Sequence, residues 1–588
     1  MPFAETGSMT NVKPPDDQRA NVRRYDVVML GGGLSGLSLA RQLNLENPEI
    51  SILVIEKRRD PAPIARYKVG ESIVELGSYY LRATLDLKDH LEKHHLQKLG
   101  FRFFLSAFDN DEIATRVEVG AKIPNPVPAY HIDRGIFENH LSEILVNDKV
   151  NFATDSTIKS VDINKAGHRI RYVQGTKETI CTAKWLIDAS GRQGIIKRSL
   201  SLQQALDHPI ASAWFRLEYK IDIEDWSDDS HWKSLLGPDR RRLATNHLMG
   251  KGYWVWLIPL SSGFTSVGIV ADTRFHSFEQ YNTVVRAMEW LHRNEPLAHS
   301  MLSKYSHSIQ DFRAIKNIAH DCSQWYSDDR WGITGDAGTF IDPLYSPGVD
   351  FIALSNTWLS DLIKRDLRGE DISIRTKIYA HVHRTMINGW TSLYRNMYSL
   401  FGNTQIMLLK IIWDWASYWS VPCPMFVNEG YTDLNVLIKF SSRKTSIGLR
   451  FSELNRRMQT LFLSWSELEK TQLSDLYIDV FNIKFLYQMH MQLDAQHEKK
   501  ALVGVIEGNL LVLEKIVAEI FRRISTRILG TDPDMKVNPY KISLNEGNEL
   551  PAHESNCPGA IPVDNLIRDD ISKIWFVNKS IKSPEYVK

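Results

Sequence analysis

The chain has 588 residues, of which 43% are hydrophobic and 24% charged, with 71 Lys and Arg against 70 Asp and Glu. That length calls for two or more compact units or one large elaborated fold, and the composition suits a packed core rather than disorder. A net charge of +1 gives no ground for nucleic acid as a partner. Cys181, Cys322, Cys423 and Cys557 stand far apart without metal-ligand spacing. No metal site is expected, and free thiols in a reducing cytoplasm are.

Residues 1–21 are polar and lack the apolar run of a signal peptide, so they read as a mobile tail. "YDVVMLGGGLSGLSLARQL" follows from Tyr25. Its apolar run predicts a buried parallel strand. Gly31, Gly33 and Gly36 form GxGxxG, with Leu34 and Ser35 opening the helix behind them. A second strand, "SILVIEKR", brings Glu56, 25 residues after Gly31. Gly31 allows the tight turn, Gly33 the approach of a pyrophosphate, and Gly36 close helix–strand packing. The helix N-terminus favours the phosphates, and Glu56 can accept ribose hydroxyls. This context fits FAD and NAD alike.

Next in order come "KVGESIVELGSYYL", then "QKLGFRFF" with Lys98 two residues before Gly100, then Arg134 in "YHIDRGIFENHL". In "FRFFL", alternation puts Phe101 and Phe103 on one face and Arg102 and Phe104 on the other. "AKWLIDASGRQG" predicts a strand ending at Asp188. "WVWLIP" from Trp254 puts Trp254 and Trp256 on the same side of a strand. "WGITGDAGTFIDPLYSPGVDF" reads as a strand, a Gly335-Asp336 turn, a loop and a helix from about Val349. Strand–GD–helix resembles the second ribose or pyrophosphate contact of FAD-dependent monooxygenase-type folds, with Asp336 as the partner. No second GxGxxG is visible.

WxWxIP (Trp254, Trp256, Ile258, Pro259), FxxPxxSxG (Phe340, Pro343, Ser346, Gly348), the GES segment and Lys98 occur in order within about residues 22–400. Together they resemble the flavin-dependent halogenases, the tryptophan-halogenase-like family. The fold expected is α/β: an FAD-binding Rossmann-type, monooxygenase-like body with an inserted β-sheet substrate region over residues 22–400. Residues 401–588 are expected to be a mainly helical, substrate-covering region. From Leu473, "LSDLYIDVFNIKFLYQMHMQL" and, from Ala501, "ALVGVIEGNLLVLEKIVAEIFRRISTRIL" carry helical spacing, and the tail from Gly530 reads as irregular.

The resemblance implies FAD, used as FADH2 from a separate reductase, and chloride or bromide oxidised to hypohalous acid. That acid would travel to an electron-rich organic substrate, free or carrier-bound. The tryptophans and Ser346 would lie beside the flavin, and Arg134 would contact it, against the plainer role of pairing with Asp133 or Glu138. Lys98 would bind or carry the halogen, with Lys68 as its rival. The sequence departs from the family twice. Tyr345 stands where free-tryptophan members have a glutamate, which resembles members acting on phenols, pyrroles or carrier-bound substrates. Pro347 removes one N–H from the halide site, leaving those of Gly348 and Val349. The alternatives are an aromatic hydroxylase, a reductase of prenyl-type substrates and a non-catalytic flavin-binding protein. No apolar run is long enough to span a membrane. The closest, from Met397, is broken by Lys410 and Asp414 and reads as a core or tunnel helix.

Overall fold

The computed structural model describes residues 22–59, 61–64, 69–106, 109–441, 447–532, 536–544 and 559–577. Its first sheet is built on parallel strands. Arg23–Leu30 lies between Ile52–Ile55 and Lys177–Asp188, with Asn151–Ala153 and Trp331–Ile333 outside them. Val27, Val28, Met29 and Leu30 are fully buried, as strands covered on both faces require. Helix Leu34–Glu46 packs close to this sheet. A Cβ on Gly36 would stand 2.2 Å from the Gly31 carbonyl oxygen, so no side chain fits there.

The second sheet has eight strands. Phe101–Leu105, Thr245–Gly250, Tyr253–Pro259 and Thr265–Asp272 lie side by side at its centre. Every residue of Tyr253–Pro259 is buried, because both faces are covered. Trp254, Trp256, Phe101 and Phe103 face the large core shared with the first sheet. Val255, Leu257 and Phe104 face a smaller core closed by Ala287, Trp290 and Leu291 of helix Val284–Asn294.

The C-terminal third is mostly helical. Helix Thr404–Ser420 is buried on nearly all sides, which explains an apolar run interrupted by two charges: Lys410 and Asp414 pair at 2.7 Å inside it. No helix of the described residues is long and apolar enough to cross a membrane. Helix Lys499–Leu529 follows its periodicity. The stretch from Leu473 departs from expectation. Tyr477–Asp479 is a strand parallel to Val117–Gly120, closing the edge of the second sheet, and α-helix is confined to Lys484–Met491 after a 3-10 turn at Val480–Asn482. Aromatic and β-branched residues suit that edge position. The tail departs too, since residues Asn565–Ser572 form a helix capped by Asp564 on the Ile567 N–H at 3.1 Å, burying Ile567 and Ile571.

Candidate active site

A cleft of about 1,020 Å³ opens at the carboxyl ends of the parallel strands, where open α/β sheets bind ligands. Gly31, Gly33, Leu34, Ser35, Glu56, Arg134 and Asp336 line it. Gly36 stands behind this wall. A Cβ on Gly33 would meet nothing within 4 Å, so the space at the helix N-terminus is open to a phosphate. The Glu56 carboxylate accepts the N–H groups of Gly32 at 2.7 Å and Arg58 at 2.8 Å, at the rim of the cleft. The Asp336 carboxylate accepts no hydrogen bond from the described residues, while its carbonyl takes a contact from His320 at 2.9 Å. Arg134 pairs with Glu138 at 2.6 Å and donates to the Val69 carbonyl, with its guanidinium still on the cleft wall. These groups fit a dinucleotide: backbone donors and a helix dipole for the phosphates, acceptors for hydroxyls.

Leu34, Arg134, Asp336 and Ile352 also line a second chamber of about 120 Å³. Trp254, Trp256 and Ile258 form one side of it. The indoles are therefore both core and wall, 2% and 6% exposed, with centroids 5.7 Å apart. Trp254 donates to Tyr398 Oη at 2.9 Å, and Tyr398 donates to Asp342 at 2.8 Å. Trp256 donates to Ser266 at 3.1 Å. Its ring lies over Gly268, where a Cβ would stand 2.2 Å away. Both rings are held by groups on other elements, not by the strand alone.

Pro347 lines this chamber and also a third, which holds Lys98. Ser72 stands at the wall between them. Its Oγ lies 3.0 Å from Lys98 Nζ, 3.0 Å from Ser346 Oγ and 2.9 Å from Thr245 Oγ1. With Lys98 and Ser346 donating, both lone pairs of Ser72 are used and its proton goes to Thr245. Thr245 in turn meets His131 Nε2 at 2.8 Å. Tyr345 and Ser346 both adopt left-handed backbone, φ 63° and 53°, unfavourable for non-glycine residues by roughly 1–2 kcal/mol each. Two adjacent strained residues place Ser346 at the wall. The following helix begins at Gly348, one residue earlier than expected, and Phe351 N–H closes its first bond on the Pro347 carbonyl at 3.0 Å. The N–H groups of Gly348 and Val349 therefore belong to an open first turn, on the wall of the second chamber.

Lys98 ends strand Leu96–Lys98 and is 1% exposed. Its Nζ also donates to the Ile73 carbonyl at 3.3 Å and lies 3.5 Å from the Phe101 ring centroid. Burial pulls this amine down to about 7, against the opposing pull of Glu75 and Asp350. Burial pushes the Asp350 carboxyl up to about 7. Asp350 accepts the Tyr418 hydroxyl at 2.7 Å and the Gly77 N–H at 2.9 Å. For Glu75 burial acts upward, but the hydrogen bond and charge of His490 prevail and hold the group below the ordinary range. Phe101, Trp390, Trp415, Trp419 and Phe481 complete the pocket. Two of these indole N–H groups, on Trp415 and Trp419, have no partner among the described residues, and neither does Asn125 Oδ1. All three residues line the pocket.

The departure at Tyr345 has a structural counterpart. Its hydroxyl donates to Asp414 at 2.9 Å, so a carboxylate on a distant helix stands one side chain behind the position. Sequence reading missed Ser72, Asp350, Glu75, Tyr418 and Asp414 as site residues. The GES segment and the Lys410/Asp414 pair in an apolar helix were their only local signals. Lys68 lies outside the described residues.

A dinucleotide cleft on a parallel sheet, joined to a tryptophan-walled chamber with a lysine pocket beside it, is an arrangement suited to a nucleotide-cofactor enzyme. The family model "Tryptophan halogenase" matches residues 106–388, and "NAD(P)-binding Rossmann-like domain" matches residues 29–94. "Flavin-dependent halogenase chlA" of Dictyostelium discoideum is 27% identical over 69% of this chain and 72% of its own length. A 1H-pyrrole-2-carbonyl-[peptidyl-carrier protein] chlorinase of Pseudomonas fluorescens is 24% identical over 66% and 86%. The fold is that of halogenase PltM, solved in complex with phloroglucinol and FAD, at TM-score 0.58 and 15% identity over 83% and 96%. These likenesses support a flavin-dependent halogenase, an enzyme that uses FAD. The aromatic hydroxylase reading is not favoured.

Proposed function

We propose that this enzyme halogenates a free, hydroxylated aromatic ring bound against Lys98, in secondary-metabolite biosynthesis. The observation that carries this reading is the Lys98 pocket itself. It is aromatic, meets the flavin chamber only at Pro347, and is lined by Trp415, Trp419 and Asn125, whose buried indole N–H groups and Oδ1 have no partner among the described residues. A phenol satisfies both kinds of group, since its hydroxyl donates and accepts. The relatives' own substrates, a carrier-bound pyrrole among them, and the phloroglucinol of a structural neighbour are electron-rich rings of this kind.

Reduced FAD in the cleft supplies, with O2, the two-electron oxidation that turns halide into hypohalous acid. Gly348 and Val349 N–H would hold the halide at a helix N-terminus. Trp254 and Trp256 would keep the organic ring out of the flavin chamber. Ser72 and Ser346 stand at the wall that the acid would have to pass. At neutral pH a large fraction of Lys98 is the free amine, which can take the halogen as N–X with release of water, or in its charged form hydrogen-bond the acid. The ring carbon then attacks the halogen, the N–X bond breaks, and the proton the ring loses ends on the lysine nitrogen, with Asp350 the nearby group to carry it. The balance is ring C–H plus HOX giving ring C–X plus water.

Incubation with a flavin reductase, FAD, NADH, bromide and a panel of phenols should give products with the bromine isotope doublet. Halide-independent gain of oxygen would instead make the protein a hydroxylase. Halogenation of a carrier-bound pyrrole with no turnover of free phenols would reverse the choice of a free substrate.

The single dinucleotide fingerprint supports a separate reductase as partner. The isolated enzyme should oxidise NADPH no faster than a flavin blank; substrate-stimulated oxidation would contradict this. Pro347 removes a donor that chloride, the more strongly hydrated halide, needs most. Bromide should therefore be incorporated at least as well as chloride at equal concentration, and strong chloride preference would mean a tighter site at Gly348 and Val349. Cys181, Cys322 and Cys423 are free and buried, which supports a cytoplasmic setting.

A further inference from the structure

The Lys98 pocket adjoins a fourth cavity of about 350 Å³, and the two share Trp390, Leu393, Asp414 and Tyr418 on their walls. Beyond those residues the cavity is walled by side chains such as Val382, Met386, Leu437, Phe440 and Phe451. These come from three C-terminal helices, Ser373–Tyr394, Leu434–Ser441 and Ile447–Leu468.

Two observations mark this space as a binding site rather than a packing defect. Gly389 lies inside helix Ser373–Tyr394 and lines the cavity. A mid-helix glycine costs about 1 kcal/mol relative to alanine. Packing does not require it here, because a Cβ at Gly389 would meet nothing within 4 Å. The missing side chain leaves volume in the cavity and does nothing else. The second observation is Ser417, which also lines the cavity. It is 5% exposed, and its Oγ has no partner among the described residues. A buried hydroxyl without a partner is unfavourable, and since Ser417 adjoins Tyr418, on the wall shared with the Lys98 pocket, an oxygen at the ring end of a ligand would satisfy it.

We infer that this cavity is a subsite for an apolar alkyl tail carried by the aromatic substrate, with the ring in the Lys98 pocket and the tail passing Trp390 and Tyr418. The inference rests on the halogenase reading above and names its substrate class: phenols bearing a hydrocarbon chain of several carbons. A polar phosphopantetheine arm would leave its amides facing Val382, Met386 and Phe451 and does not suit these walls.

The test uses resorcinol, 4-butylresorcinol and 4-hexylresorcinol with the FAD-loaded full chain. Binding is read by quenching of intrinsic tryptophan fluorescence, and turnover by halogenated product. Burial of methylenes strengthens binding by about fourfold each at most. With much less than that ceiling realised per carbon, the hexyl compound should bind roughly 30-fold more tightly than resorcinol, and kcat/KM should follow. Gly389→Leu fills the open space and favours the helix, so its thermal midpoint should not fall. It should erase most of the chain-length gain in both readouts, and Met386→Trp should do the same. Equal affinity for all three resorcinols in the natural enzyme would overturn the inference, and so would an undiminished gain in both variants. Chain-dependent binding without halogenation of any resorcinol would leave the subsite standing and count against the phenol reading instead.

Discussion

Lys98→Ala should abolish halogenated product, by at least about 10³-fold, while reoxidation of reduced flavin proceeds at nearly the natural rate. Lys98 lines neither the flavin cleft nor the tryptophan-walled chamber, which meets its pocket only at Pro347, so the substitution leaves that chemistry untouched. What it removes is the one lysine amine among the described residues of the pocket wall. Lys98→Arg should fail as well. Guanidinium keeps its proton, whereas burial brings the Lys98 amine to about 7. Hypohalous acid that reaches the pocket unclaimed meets Trp390, Trp415 and Trp419 on its walls. Indoles are themselves electron-rich, so the variant should mark these residues with halogen, visible in peptide mass spectra, or leak acid to an added trap. Normal product from folded, flavin-loaded Lys98→Ala would remove Lys98 from the mechanism. An absence of both halogenated peptides and trapped acid would mean that the lysine acts earlier, on formation of the acid.

The parts of this site that were legible in the sequence are those encoded by short-range spacing. Gly31, Gly33 and Gly36 act within one turn, and Trp254 and Trp256 share a side because strand side chains alternate. Lys98 could be located because a family pattern surrounds it. The groups that tune Lys98 were not legible. Asp350 is 252 positions away in the chain and Ser346 is 248 away, and only the tertiary contacts of Ser346 with Ser72 and of Asp350 with Gly77 bring them close to Lys98. The left-handed pair Tyr345 and Ser346 carries no glycine to announce it. The annex beyond Trp390 is made by three helices whose apolar faces look the same in sequence whether they meet or stand apart. Tyr477–Asp479 failed for a different reason: three residues are too few for periodicity to separate a strand from a helix, and pairing with Val117–Gly120 decided the outcome.

The burial that prepares Lys98 for its role carries a stability penalty, and its pH dependence can be worked out. The amine titrates near 7 in the folded protein and near 10.5 when solvated. Between those values the unfolded chain binds the extra proton, so stability rises with pH across this window. The penalty is fully present below about pH 7 and gone above about pH 10.5. At about 1.4 kcal/mol per pH unit its upper limit is on the order of 5 kcal/mol. Lys98→Met keeps the volume and removes the charge. It also removes the hydrogen bond to Ser72 and the favourable charge opposite Glu75 and Asp350, each offsetting part of the gain. The variant should therefore be more stable than the natural enzyme by about 1–3 kcal/mol at pH 6 to 7, and the difference should shrink steadily toward zero as the pH approaches 10. Urea unfolding of the FAD-loaded proteins at several pH values reads this directly. Ser72 keeps Ser346 and Thr245 as partners, so no orphaned hydroxyl should mask the effect. A Lys98→Met protein less stable at every pH would show that Glu75 and Asp350 hold the ammonium as an ion pair. In that case the lysine would act on hypohalous acid as a charged hydrogen-bond donor, and the N–X route would be closed.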